Sequence, residues 1–149
     1  MPINVRWDTH DPTILRYTVY ERWTAYDGKQ ALDATGVLVE GVNERFDTIM
    51  EFKEASYFIP ADLNGLWSRA DYYRSRRGDK RGIIAVVKAP LFVTAIIKAA
   101  ERIAYRVVED MYLVNTVEEA YTLIQTKRAE QLLENSKAGH HSMEMPHPH

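Results

Sequence analysis

Gly82-Ile83-Ile84-Ala85-Val86-Val87-Lys88-Ala89-Pro90 is the stretch on which the fold turns. Ile83 to Val87 is apolar without alternation and is bounded by Gly82 on one side and Ala89-Pro90 on the other. A strand apolar on both sides is covered on both faces, which is how a central strand of a parallel sheet reads. Pro90 suits the first turn of a helix, because its missing N–H would have had no partner there. The spacing predicts a helix from Pro90 to about Val108. A buried strand running directly into a helix is half of a β-α-β unit, and the rest of the chain is read outward from it.

Downstream, Met111–Val114 reads as a short strand. Thr116-Val117-Glu118-Glu119 is a capping box opening a last helix that carries Val117, Ala120, Tyr121, Ile124 and Leu132. From Ser136 the composition changes to SKAGHHSMEMPHPH. With no apolar face left to bury, residues 136–149 are expected to form a disordered tail beside a domain spanning 1–135. Upstream, Leu63, Leu66, Trp67 and Ala70 recur at i, i+3, i+4 and i+7. They give an amphipathic helix after Pro60, with Asp62 as its cap and its end near Gly78. Phe46–Phe52 (FDTIMEF) is a strand. Before it, Leu32, Thr35, Val39 and Val42 follow a box-like Thr24-Ala25-Tyr26-Asp27 at helical spacing. Ile3, Val5 and Trp7, then Leu15, Tyr17 and Val19, alternate with polar residues across the turn Thr9–Thr13, which makes an antiparallel hairpin. The order is β-β-α-β-α-β-α-β-α. It defines an α/β fold with a mixed, mostly parallel sheet of about five strands and four helices.

Three strings carry a resemblance: INVRWDTHDPTILRYTVYERWT at the start, FDTIMEFKEASYFIPADLNGLW in the middle, and GIIAVVKAPLFVTAIIKAA. Together they make residues 2 to about 130 similar to STAS domains, the fold of anti-sigma factor antagonists and of sulfate-transporter tails, and most of all to stand-alone bacterial proteins of that type. The resemblance implies a STAS-like protein-interaction module. In the antagonists a Ser at the start of a helix takes phosphate, where free N–H groups favour an anion. The matching stretch here is Phe58-Ile59-Pro60-Ala61-Asp62-Leu63, and Ala61 stands at the acceptor position with no hydroxyl. Ser56 and Ser68 lie off its register. Regulation is therefore expected through binding, with Pro60, Ala61, Asp62, Leu63 and Trp67 as contact residues.

The helix after Pro90 holds more apolar residues than one face needs. Its second strip, with Phe92 and Ile96, fits three readings: internal packing, a protein partner or second copy (a homodimer), or a roof over a small apolar ligand. The last is kept as the alternative function, because the topology also resembles lipid-exchange domains of the CRAL-TRIO type. A basic cluster holds Arg69, Arg74, Arg76, Arg77, Lys80 and Arg81 against Asp71 and Asp79, with Tyr72 and Tyr73 among them. Arg74, Arg76, Arg77 and Arg81 are candidate anion ligands. The same charges fit a solvated helix end, and no glycine-rich phosphate cradle accompanies them.

Composition closes off other classes. The formal charge of −2 over 149 residues gives no excess for a nucleic-acid partner. The chain has no cysteine, which removes disulfides, thiolate nucleophiles and Cys-ligated metals. No signal peptide is read, and Lys88 and Pro90 interrupt the most apolar stretch, so membrane insertion is not expected and a cytoplasmic location is. There is no G-x-S-x-G, H-E-x-x-H or P-loop. Asp47 and Glu51 share a strand face, but their spacing identifies no acid–base pair. Four of the five histidines, His140, His141, His147 and His149, sit in the tail without a scaffold to fix metal geometry. No catalytic residue, metal or cofactor is expected, and the chain is read as a non-enzyme.

Overall fold

The computed structural model of the chain describes residues 2–20, 22–53 and 63–144, with side chains throughout except at residues 63, 79, 91–94, 96 and 138–144. Strands β1 (Ile3–Trp7) and β2 (Ile14–Val19) form the antiparallel hairpin, with Ile3 opposite Val19 and Trp7 opposite Leu15. Its turn is folded by two aspartates. Asp8 accepts from the N–H groups of His10 (3.1 Å) and Asp11 (2.9 Å), and Asp11 accepts from the N–H of Thr13 (2.9 Å). Strands β3 (Phe46–Phe52), β4 (Arg81–Val87) and β5 (Met111–Val114) then join in parallel, so the sheet order is the chain order.

The helices are α1 (Ala25–Leu38), α2 (Leu63–Ser75), α3 (Leu91–Ala100), α4 (Tyr105–Glu109) and α5 (Val117–Glu144), with a 3-10 turn at Gly78–Lys80. One sheet face places Ile14, Ile49, Ile83, Ala85 and Val87 against Ala120 and Ile124 of α5. The opposite face places Leu15 and Tyr17 against Ala31 of α1, and Val19, Phe52, Ile84 and Val86 against Val107 of α4 and Trp67 and Ala70 of α2. Among the described residues the connecting helices thus share one face and α5 alone covers the other. Every residue of β2 is buried as a result, although its sequence alternates. Alternation reports which side chains are polar, whereas α5 decides whether the polar side is wet.

The expected mostly parallel α/β sheet is present, with five helices in place of four. The helix expected from Pro90 to Val108 ends at Ala100 and restarts at Tyr105. Between them Ala104 is fully buried with φ −130° and ψ 52°. No Gly or Pro marks this break. The restart is stabilised from elsewhere: the Asp71 carboxylate of α2 accepts from the backbone N–H of Arg106 (2.9 Å) and from its guanidinium (3.2 Å). A distant side chain acts as the cap that the local sequence lacks. The α1 capping box is formed as read: the Thr24 hydroxyl accepts from the Asp27 N–H, and the Asp27 carboxylate accepts from the Thr24 N–H. In the box at Thr116, the Glu119 carboxylate instead accepts from the N–H of Asn115 (2.8 Å).

The compositional boundary at Ser136 is not an element boundary, because α5 continues to Glu144. No proline interrupts the chain between Val117 and Glu144, so a helix seeded by packing at Ala120 and Ile124 propagates beyond the sheet. Residues 132–137 are exposed, Leu132 and Leu133 included. Among the described residues no helix is long and apolar enough to cross a membrane.

Candidate functional site

Close packing leaves few voids larger than a water molecule in a domain interior. Here the described residues line a partly open cavity of about 380 Å³ between the sheet and helices α1 and α2, within the size range of small-molecule sites. Its floor follows from strand periodicity. Phe46, Thr48, Met50 and Phe52 are alternate residues of β3 and all line it, as do Ile84 and Val86 of β4. The cavity therefore follows β3 from end to end, about 20 Å over the six steps from Phe46 to Phe52 at the strand rise. Ala31 and Thr35 of α1 and Trp67 and Ala70 of α2 form much of the roof.

The walls are almost wholly apolar, and the polar groups gather near one end. The Tyr17 hydroxyl and the Thr35 hydroxyl form a short hydrogen bond, and Thr35 also donates to the Ala31 carbonyl (2.8 Å). Burial pushes the Tyr17 phenol above its ordinary value, opposed by its bond to Thr35 and by the charge of Arg74. Arg74, Arg76 and Arg77 line the same cavity. Arg74 donates to Asp110 (2.8 Å) and to the Gly82 carbonyl, and its Nε is buried without a partner. Arg77 lies over the Phe46 ring at 4.7 Å and donates to the carbonyls of Val42 (2.9 Å) and Glu44. Burial, and then the neighbouring Arg74, push the Arg77 guanidinium below its ordinary value. Towards the other end the Trp23 indole Nε1 is also buried without a partner.

Most of the expected contact surface is not described. Pro60, Ala61 and Asp62 lie outside the described residues, as do His147 and His149. Leu63 opens α2, and Phe92 and Ile96 fall in α3, with side chains outside the described set. Trp67 is half-buried: it packs against the cluster of Val19, Phe52 and Ile84 and lines the cavity. The described lining comes from the sheet and from α1, α2 and α4; Val107 of α4 falls within the stretch expected as the helix from Pro90 to Val108, and no described side chain of α3 takes part.

The basic cluster divides. Arg74 and Arg81 converge on Asp110 (2.8 and 3.1 Å), and Arg81 also pairs with Glu109 (3.1 Å). Arg76 is exposed beside the Tyr72 ring. Arg81 is therefore a structural partner, whereas the other three face the cavity.

Two ionic networks on the α5 face were not legible beforehand. Asp47 is fully buried. It accepts from Arg45 (2.8 Å), Arg128 (2.6 Å) and the Ile83 N–H (2.8 Å). Arg16 bridges Asp8 (3.3 Å) and Glu51 (2.9 Å), and Tyr121 of α5 donates to Asp8 (2.7 Å). Burial opposes the charge on Asp8, but its bonds from Tyr121, from the Asp11 and His10 N–H groups and from Arg16 outweigh that and hold its carboxyl below the ordinary value. Asp47 and Glu51 do share a face. Each is held by arginine, an arrangement that docks α5 and offers no free base.

Compared with protein-family models, the chain matches none, and it matches no curated protein and no solved structure at a significant level.

Proposed function

We propose that the chain is a non-catalytic STAS-like binding module, and that its α1–α2 cavity carries or senses a small apolar, lipid-like ligand. The cavity itself supports this reading. The lining of this cavity of about 380 Å³ is almost wholly apolar, so water within it finds few hydrogen-bond partners, and an apolar occupant covers that surface without leaving polar groups unmet. The site lies under α1 and α2, with Val107 of α4 also in its lining.

N-phenyl-1-naphthylamine, a neutral apolar dye, tests the reading. Its fluorescence should rise on mixing with the protein and fall when hexadecanol is added. Ala31→Phe, which fills the roof, should abolish both changes while the chain stays folded by circular dichroism. Dye binding that Ala31→Phe leaves unchanged would place the dye elsewhere and sink the reading.

A protein partner or second copy remains the other reading, supported by Ala95, Ala99 and Ile103. All three are exposed at i, i+4 and i+8 along α3 and the residues after it. Native mass spectrometry separates the two. A mass doubled to that of a homodimer favours association, and a small molecule retained on the monomer favours carriage.

A further inference from the structure

Resting on the cavity reading, we infer that the occupant is a single-chain amphiphile with an anionic head, its tail along β3 and its head at Arg74 and Arg77. Three observations at one end of the cavity carry this. First, the charges there do not balance. Arg74 and Arg81 are matched by Asp110 and Glu109, but among the described residues no carboxylate pairs with Arg76 or Arg77, and Arg77 is held only by backbone carbonyls and the Phe46 ring. Second, the Arg74 Nε is a buried donor without an acceptor, on a residue that lines the cavity. A buried donor left unmade is costly, and an oxyanion is the acceptor that best satisfies a guanidinium. Third, the hydroxyl pair Tyr17–Thr35 adds polar atoms to the lining, while Val19, Trp23 and Phe52 line the opposite end. A neutral hydrocarbon would leave the arginine end unanswered, and a free anion would leave some 20 Å of apolar floor bare.

Palmitate and hexadecanol differ only in the head and can be titrated in parallel by displacement of N-phenyl-1-naphthylamine. Palmitate should bind about tenfold more tightly than hexadecanol, the worth of a charge-assisted bond. Arg74→Gln and, separately, Arg77→Gln should erase that preference while leaving hexadecanol binding as it was. Unchanged hexadecanol binding also reports that each variant is folded. Should Arg74→Gln lose both ligands, the decision passes to Arg77→Gln and to raised salt, which must weaken palmitate alone.

Equal affinity of palmitate and hexadecanol for the unmodified protein overturns the head site and leaves the apolar carrier standing. Binding of neither removes both. Displacement of palmitate by inorganic phosphate alone, with dye retained, overturns the amphiphile and makes the arginines a free-anion site.

Discussion

Asp47 shows how much one side chain can decide. Its carboxylate is fully buried, joins Arg45 to Arg128, and accepts from the Ile83 N–H where the β3–β4 register shifts between Phe46 and Thr48. The partner backbone comes so close there that a Cβ on Gly82 would overlap the Phe46 carbonyl oxygen and stand 2.6 Å from the Asp47 carboxylate. Glycine is required at 82 for close approach, with no demand on its dihedrals. Removing the carboxylate leaves two mostly buried arginines with weaker company, Arg45 with the Gln131 amide and Arg128 with Asp11. Asp47→Ala should therefore lower the unfolding free energy by about 3 kcal/mol in urea titration. Asp47→Asn, which keeps an acceptor for Ile83, should cost less. A loss under about 1 kcal/mol for the alanine variant would mean that solvent already satisfies those arginines.

At the scale of elements, the strands were legible and the helix ends only partly so. All five strands are found within two residues of their expected bounds, because periodicity over a strand depends on its own side chains. The break between α3 and α4 was not legible, because the group that caps its restart is Asp71, a residue on another helix. Asp71→Ala should destabilise the fold by about 1 kcal/mol, the usual worth of a cap, and should raise hydrogen exchange at the Arg106 and Val107 amides before the rest of the chain. Uniform exchange across α4 and α2 in that variant would deny Asp71 this local role. The far end of α5 behaves in the opposite way. Since residues 132–137 are exposed, ending the chain at Glu134 should shift the urea midpoint by no more than about 0.5 kcal/mol of stability. A larger loss would show that the overhang is packed against something.

At the scale of the whole molecule, the sequence disclosed the layers but hid what lies between them. Apolar runs identify a covered face; they do not tell whether the covering fits, and so the surplus after Pro90 shows in the sequence while the gap under α1 does not. Arg16 and Glu51 were hidden for a related reason: each reads as an outward strand residue until α5 is laid across them. This covering makes stability depend on pH in a direction that follows from the groups involved. Asp8 and Asp11 both titrate below the ordinary carboxylate value in the fold. For Asp11, burial is outweighed by its bonds to Thr13 and by Arg128. A depressed acid adds stability that is complete above its unfolded pKa of about 4 and is lost as pH falls through the folded value. Tyr121 is raised, by burial first and then by Asp8. A raised phenol adds stability that is complete below its unfolded pKa of about 10 and is lost as pH climbs through the folded value. Stability should thus be flat across the neutral range in respect of these groups, with an acid limb below about pH 4 and an alkaline limb above about pH 10. Asp8→Asn should make the acid limb shallower, and Tyr121→Phe should do the same to the alkaline limb. Phenylalanine also relieves Asp8 of one donor, so it should move the acid limb towards higher pH. Urea midpoints measured from pH 2.5 to 11 on the three proteins test this coupling, and an acid limb in Tyr121→Phe that coincides with that of the unmodified chain would show that the hydroxyl of α5 does not hold Asp8.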